Sequence, residues 1–217
     1  MKSLLIKEMR LAASPLSYLF LVASLMTLLP GYPILVGAFF ICFGIFHSFQ
    51  NAREANDTLY TVLLPVKKSD FVGAKYVFTC MIQMLGFALC ALLTAVRMTA
   101  LSAAVPYVNN AMMNPSPVSL AFTLLIFAAF NLLFVGGYFK TAYKIGIPFL
   151  SFGIAALLLI AVAETLHHLP GLGFLNTTTG ERLGLQFALL AAAAAVYAAV
   201  TALACRTAKK RFERIDL

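Results

Sequence analysis

Four stretches of this chain, residues 76–96, 118–139, 145–163 and 183–205, run about twenty residues each without a single charged side chain. A helix needs roughly 20 apolar residues to cross a ~30 Å hydrocarbon core, where backbone polar groups find no water and must pair within the helix. Two further segments, 15–29 and 33–49, are shorter and meet at Pro30, Gly31, Tyr32 and Pro33, which reads as a tight helical hairpin. Ser14 before Pro15 has the form of an N-cap followed by proline at the first helical position, and Pro33 can open the second segment in the same way. With 62% hydrophobic and 11% charged residues and a mean hydropathy of +0.92, an ordinary soluble fold is excluded. The expectation is one all-α transmembrane domain over residues 1–217 with six spans.

The charges set the orientation. Lys and Arg in short connections resist translocation and stay cytoplasmic. Fourteen of the sixteen fall on one side: Lys2, Lys7, Arg10, Arg53, Lys67, Lys68, Lys75, Lys140, Lys144, Arg206, Lys209, Lys210, Arg211 and Arg214. Arg97 and Arg182 stand opposite, balanced there by Glu164 and Glu181. Both termini are therefore expected in the cytoplasm, and the net charge of +8 is topogenic. It points to anionic membrane lipids rather than to nucleic acid. Residues 1–13 alternate charged and apolar positions, as a helix lying flat in the inner interface does. Residues 206–217 read as a basic cytoplasmic tail.

Few residues offer chemistry. Cys42, Cys80, Cys90 and Cys205 lie inside apolar segments without C-x-x-C spacing, so they form no disulfide framework. His167 and His168 are adjacent and would face different ways on a helix, a poor chelating pair, and His47 reads as interfacial. No metal site and no catalytic residue is expected: the chain lacks a G-x-S-x-G elbow, an H-E-x-x-H pair and a Walker A loop, so any ATP would be used by another subunit. An ion-coupled transporter needs an ionisable group deep in the bilayer, and none is present. Gln83, Asn131 and Glu164 remain as candidates for a translocation path; for Gln83 and Asn131 an interhelical hydrogen bond is the plainer use, and for Glu164 a solvated helix end. Ala191, Ala195 and Ala199, and likewise Ala194, Ala198 and Ala202, recur every four residues and offer small faces for close helix packing.

The inner connection 50–75 is far longer than a hairpin needs and too apolar in its middle for a flexible linker. Asn56 or Asp57 can cap a short helix through Leu64, with Leu59, Val62 and Leu63 on one face, and Pro65 ends it. Ser69 can cap the next helix, Asp70 suits its N-terminus, and Lys75 can snorkel to water. Such a helix can lie on lipid or dock a partner.

The string NDTLYTVLLPVKKSDFVGAKY, residues 56–76, resembles the inner-loop signature of the membrane permease subunits of bacterial type-two ABC exporters, the families that include bacitracin-resistance and phenol-soluble-modulin permeases. The matching positions are Asn56 and Asp57, then Leu63, Leu64 and Pro65, then Lys67 and Lys68, Phe71 and Val72, and Lys75. The outline agrees: an interfacial N-terminal helix, six spans, a longer outer segment at 167–180 and a basic C-terminal tail. The outer loop 97–117, with Asn109, Asn110, Asn114 and three prolines, departs from that pattern. The resemblance implies that the helix from about Asn56 to Leu64 is a cytoplasmic coupling helix between spans two and three, docking on a separate ATP-binding cassette ATPase. Arg53, Glu54, Asp57, Lys67, Lys68 and Asp70 would then be its polar contacts. Two permeases, identical or paralogous, would flank the cargo path, with ATP and Mg²⁺ held by the ATPase and no cofactor on this chain. The expected setting is the bacterial cytoplasmic membrane, and the expected cargo is amphipathic or hydrophobic, such as a peptide, toxin, antimicrobial or lipid-like compound, because a path without buried charge offers little to an ion. A vitamin importer's substrate-binding subunit and a non-transporting scaffold are the alternatives; the long inner loop argues against the first.

Overall fold

The structure, a computed structural model, describes residues 2–101, 110–141, 143–178 and 182–215. The expectations that fall on Asn109, Glu181 and the end of the outer segment at 179–180 lie outside the described residues. Every regular element among the described residues is helical.

The chain begins with α1, Lys2–Lys7, which continues through a wide turn over Glu8–Ala12. At Ala13 and Ser14 it bends by 91° into α2, Pro15–Leu19, whose winding tightens over Phe20–Leu28. Ser14 caps α2 as expected: its hydroxyl accepts the Leu16 N–H at 3.3 Å, and Pro15 occupies the first helical position. The second helix, α3 (Val36–Glu54), lies very close to α2. A Cβ added at Gly44 would sit 2.8 Å from the Phe20 Cβ and 2.9 Å from the Leu16 carbonyl, so only glycine admits this approach. The contact is sealed by hydroxyls, with Ser17 donating to the Gly44 carbonyl at 2.7 Å and Ser48 accepting the Ser14 N–H at 2.8 Å. The Ser48 hydroxyl thereby gives a buried partner to the Ser14 N–H at the bend.

α4 (Asp57–Leu63) and α5 (Lys68–Thr99) follow. The helix α5 begins eight residues before the expected start of its span, so the 50–75 connection is mostly helix. Lys67 occupies its cap position and Ser69 and Asp70 fall in its first turn, so Ser69 is not the cap, although Asp70 does stand at the positive end of the helix dipole. Lys75 does not snorkel; it is 1% exposed. The span α6 runs over Pro117–Tyr138, opened by a capping box between Ser116 and Ser119 and widened at Phe130–Val135. α7 is Gly146–Leu166, and α8 is Leu183–Glu213, which carries the basic tail onward as helix instead of leaving it as a separate segment at 206.

By length and apolarity, α5, α6, α7 and α8 can each cross a membrane, and the bent pair Ser3–Ala12 and Pro15–Leu28 makes a fifth if taken as one span. This is fewer than the six expected, because α2 is short and α3 ends in the polar run Gln50, Asn51, Arg53 and Glu54. The protein is nonetheless a helical, multi-pass membrane protein. α6 is the axis: 72% of its most apolar window is buried, against 39% for α5, 22% for α7 and 11% for α8. The large exposed apolar side chains of the outer helices, such as Leu150, Leu157 and Leu203, are what lipid would cover. Between α3, α6 and α7 lies an aromatic slab, with Phe39 stacked on Phe152 (5.7 Å), Phe46 tilted against Phe149 (4.2 Å) and Phe49 edge-on to Phe134 (5.1 Å). The two alanine faces of α8 do not pack inside the chain; Ala193, Ala204 and Ala208 are buried instead.

Candidate functional site

The seven-residue α4 is amphipathic in an inverted sense. Asp57, Thr58 and Thr61 face the protein, while Leu59, Tyr60, Leu63 and Leu64 are 46%, 65%, 74% and 55% exposed. The cause is a cluster of four charges. Lys75 pairs with Glu8 at 2.6 Å and stands 3.6 Å from Asp57; Lys7 pairs with Asp57 at 2.6 Å and with Glu8 at 3.2 Å, and donates to the Thr61 hydroxyl at 2.7 Å. Glu8 and Lys75 are each 1% exposed. Two cations alternate with two anions, so the buried group is neutral, and the rings of Phe49 and Phe71 flank the lysines at 5.1–5.6 Å. Thr58 adds a 2.9 Å hydrogen bond to the Tyr138 hydroxyl. With its polar face thus engaged, α4 has only leucines and a tyrosine left to present outward.

This arrangement redistributes the expected contact residues. Asp57 is turned inward, its carboxylate taken up by Lys7 and Lys75. Asn56 holds the cap position in the left-handed region (φ 50°) without a side-chain capping bond, and Leu64 takes the extended backbone that Pro65 demands. Val62 is half-buried against the core, separated from the exposed Leu59 and Leu63 with which periodicity grouped it. Lys68 donates to the Ile215 carbonyl at 2.6 Å, tying α5 to the chain after α8. Arg53 lies over the Tyr143 ring at 5.9 Å and Glu54 accepts from Gln50 at 3.1 Å. Lys67 is exposed beside Pro65, and Asp70 is half-buried.

The path candidates separate into two places. Gln83 of α5 and Asn131 of α6, both fully buried, exchange hydrogen bonds at 3.1 and 3.0 Å. Asn131 also donates to Thr201 (2.9 Å), and Gln83 accepts from Tyr197 (3.0 Å), both on α8. The wide turn of α6 has a role here, since the Asn131 carbonyl accepts the Tyr76 hydroxyl at 3.1 Å. The network clamps α5, α6 and α8 together, the interhelical hydrogen bonding that was the plainer expectation for both side chains. Glu164 sits near the C-terminal end of α7, where it accepts the Met113 N–H at 2.8 Å; the neighbouring Asn114 N–H bonds Asn176 at 2.5 Å. The outer segment that the sequence left unassigned is thus bound down in part by the side chain proposed for the path.

Residues 3–207 match the model of a family described as ABC-2 family transporter protein. The chain belongs to that family. It is accordingly a membrane permease of an ABC transporter, and its family implies partnership with an ATP-binding cassette ATPase. Comparison with curated proteins and with solved structures returns no match. For an ABC-2 permease two features of the structure went unread in the sequence. The first is Tyr60, central to the outward face of α4. The second is the half-exposed row Phe39, Phe43, Phe46 and His47 on α3. Its signal was present in the spacing of these phenylalanines by three and four residues among the chain's 19.

Proposed function

We propose that this ABC-2 permease is the exporting subunit of an ATP-driven transporter and that α4 is the coupling helix on which a separate ATPase docks. The observation that carries the reading is the outward face of α4: Leu59, Tyr60, Leu63 and Leu64 exposed together at the end of the bundle that holds most of the Lys and Arg. Exposed apolar side chains on a helix held rigidly by its other face are the complement of an apolar groove in a protein partner. Leu59, Tyr60, Leu63, Leu64 and Pro65 form the apolar contact, and Arg53, Glu54, Lys67 and Asp70 its polar surround. Because Lys7 and Lys75 clamp Asp57, motion imposed on α4 passes directly to α1 and to the inner end of α5. This supports a rigid-body change of the spans driven by the ATPase.

The Lys and Arg bias supports a reading in which this end of the bundle, with both termini, lies in the bacterial cytoplasm. In this reading α2 with its continuation, and α3, complete six spans as a short hairpin. A second permease, identical or paralogous, supplies the other wall of the path. The half-exposed phenylalanines of α3, with Phe149 of α7, suit an amphipathic or hydrophobic cargo leaving the cell. The test is purification of the tagged protein from its native membranes in mild detergent, with mass spectrometry and ATPase assay of the eluate. Recovery of an ATP-binding cassette subunit at near-equal stoichiometry, lost on Leu59→Arg with Leu63→Arg, is the expected result. Recovery undiminished by that variant overturns the assignment of α4.

A further inference from the structure

At the same end of the bundle, between α6 and α7, lies a groove of about 380 Å³ lined by Leu132, Leu133, Gly137, Lys140, Thr141, Lys144, Ile147, Pro148 and Ser151. Leu132 and Leu133 lie on the side toward the middle of the spans, Lys140, Thr141 and Lys144 surround the short loop that joins the helices, and Ile147, Pro148 and Ser151 follow on the first two turns of α7. No acidic residue lines it, and the ion pairs found among the described residues all belong to the cluster around Lys75, so both lysine charges are uncompensated. The groove exists because α6 and α7 converge just beside it: a Cβ on Gly137 would stand 2.9 Å from the Pro148 Cβ. The Thr141 hydroxyl accepts the Lys144 N–H at 3.0 Å and so holds the loop folded, while Lys140 and Lys144 are both exposed.

We infer that this groove binds one anionic phospholipid of the inner leaflet, its phosphate held by Lys140 and Lys144 and an acyl chain laid along Leu132, Leu133 and Ile147. Basic pockets between spans at the cytoplasmic interface recognise acidic headgroups in this way. The inference rests on the cytoplasmic placement of this loop but not on cargo, direction of transport or the ATPase, and the test below works in either orientation.

The protein contains no tryptophan. Leu132→Trp therefore gives a single fluorophore on the groove, and Leu158→Trp, at an exposed position elsewhere on α7, reports the general lipid shell. Each variant is reconstituted in bilayers containing brominated phosphatidylglycerol or brominated phosphatidylcholine. The expected result is a preference for the anionic lipid of about thirtyfold at position 132, from two lysines, and near unity at position 158. Adding Lys140→Gln with Lys144→Gln brings the first value to unity while quenching by phosphatidylcholine persists, which shows that the helices still reach lipid. Equal preference at the two positions, or a preference that survives the double substitution, overturns the inference. So does shielding of position 132 from both lipids when an ATPase subunit is bound, since the groove would then belong to a protein partner.

Discussion

Replacing Lys75 by Met removes one cation from a neutral buried cluster and leaves Glu8 and Asp57 sharing Lys7. Deleting one member of a buried ion pair costs about 3–5 kcal/mol, mostly because the remaining charge is left without compensation. Here the side chains of Lys7 and Asp57 keep 18% and 16% of their surface exposed, so water reaches that side of the cluster and the lower figure, about 3 kcal/mol, is the reasoned value. Glu8→Gln costs about the same, since Lys75 then retains only Asp57 at 3.6 Å. The double variant leaves the Lys7–Asp57 pair intact with no charge uncompensated, so its cost is no more than that of either single change and the cycle shows a coupling of at least roughly 3 kcal/mol. Hydrogen exchange measures this locally. The amides of 4–12 and 57–64 should exchange about a hundredfold faster in each single variant and no faster than that in the double, while those of α6 stay protected. Strictly additive effects, or single variants within threefold of wild type, would refute the idea that the cluster holds α4 in its inverted orientation.

Two further outcomes follow from the geometry. Asn131→Leu should lower thermal stability by about 1–2 kcal/mol, and adding Gln83→Leu should cost less than the sum, because interhelical hydrogen bonds in bilayers are individually modest; lost transport at unchanged stability would put the pair on the path instead. Gly44→Ala forces a methyl against the Phe20 side chain and the Leu16 backbone and should destabilise by about 1–3 kcal/mol, read as a lowered Tm of the purified protein, whereas an unchanged Tm would mean that α2 and α3 can separate freely.

The class of the protein was open to sequence reasoning because apolar length and Lys/Arg bias act residue by residue. The spans α5 to α8 and the proline-aided cap of α2 came from local rules alone. The orientation of α4 did not. In a seven-residue helix the periodicity of Leu59, Val62 and Leu63 is compatible with burial or exposure, and the choice is made by Lys7 and Lys75, distant in sequence. The same holds for Lys75 itself: beside a span a lysine ordinarily reaches for water, and only the presence of Glu8 across a 91° bend makes its burial tolerable. The first two spans were hard to delimit for a physical reason too. The chain between Phe20 and Leu28 winds more tightly than an α-helix, and a hydroxyl contact between Ser17 and Ser48 holds the preceding turn, α2, to α3.

The central claim is that the exposed apolar face of α4 is covered by an ATPase. Its most direct test is a photo-reactive phenylalanine analogue placed at Leu63, the most exposed of that face, and at Leu158 as a control on a surface that lipid would cover. After irradiation of native membranes, position 63 should give a covalent adduct with an ATP-binding cassette subunit, and position 158 none. An adduct absent at Leu63, and at Leu59 and Tyr60 as well, while that ATPase still co-purifies with the chain, would contradict the account.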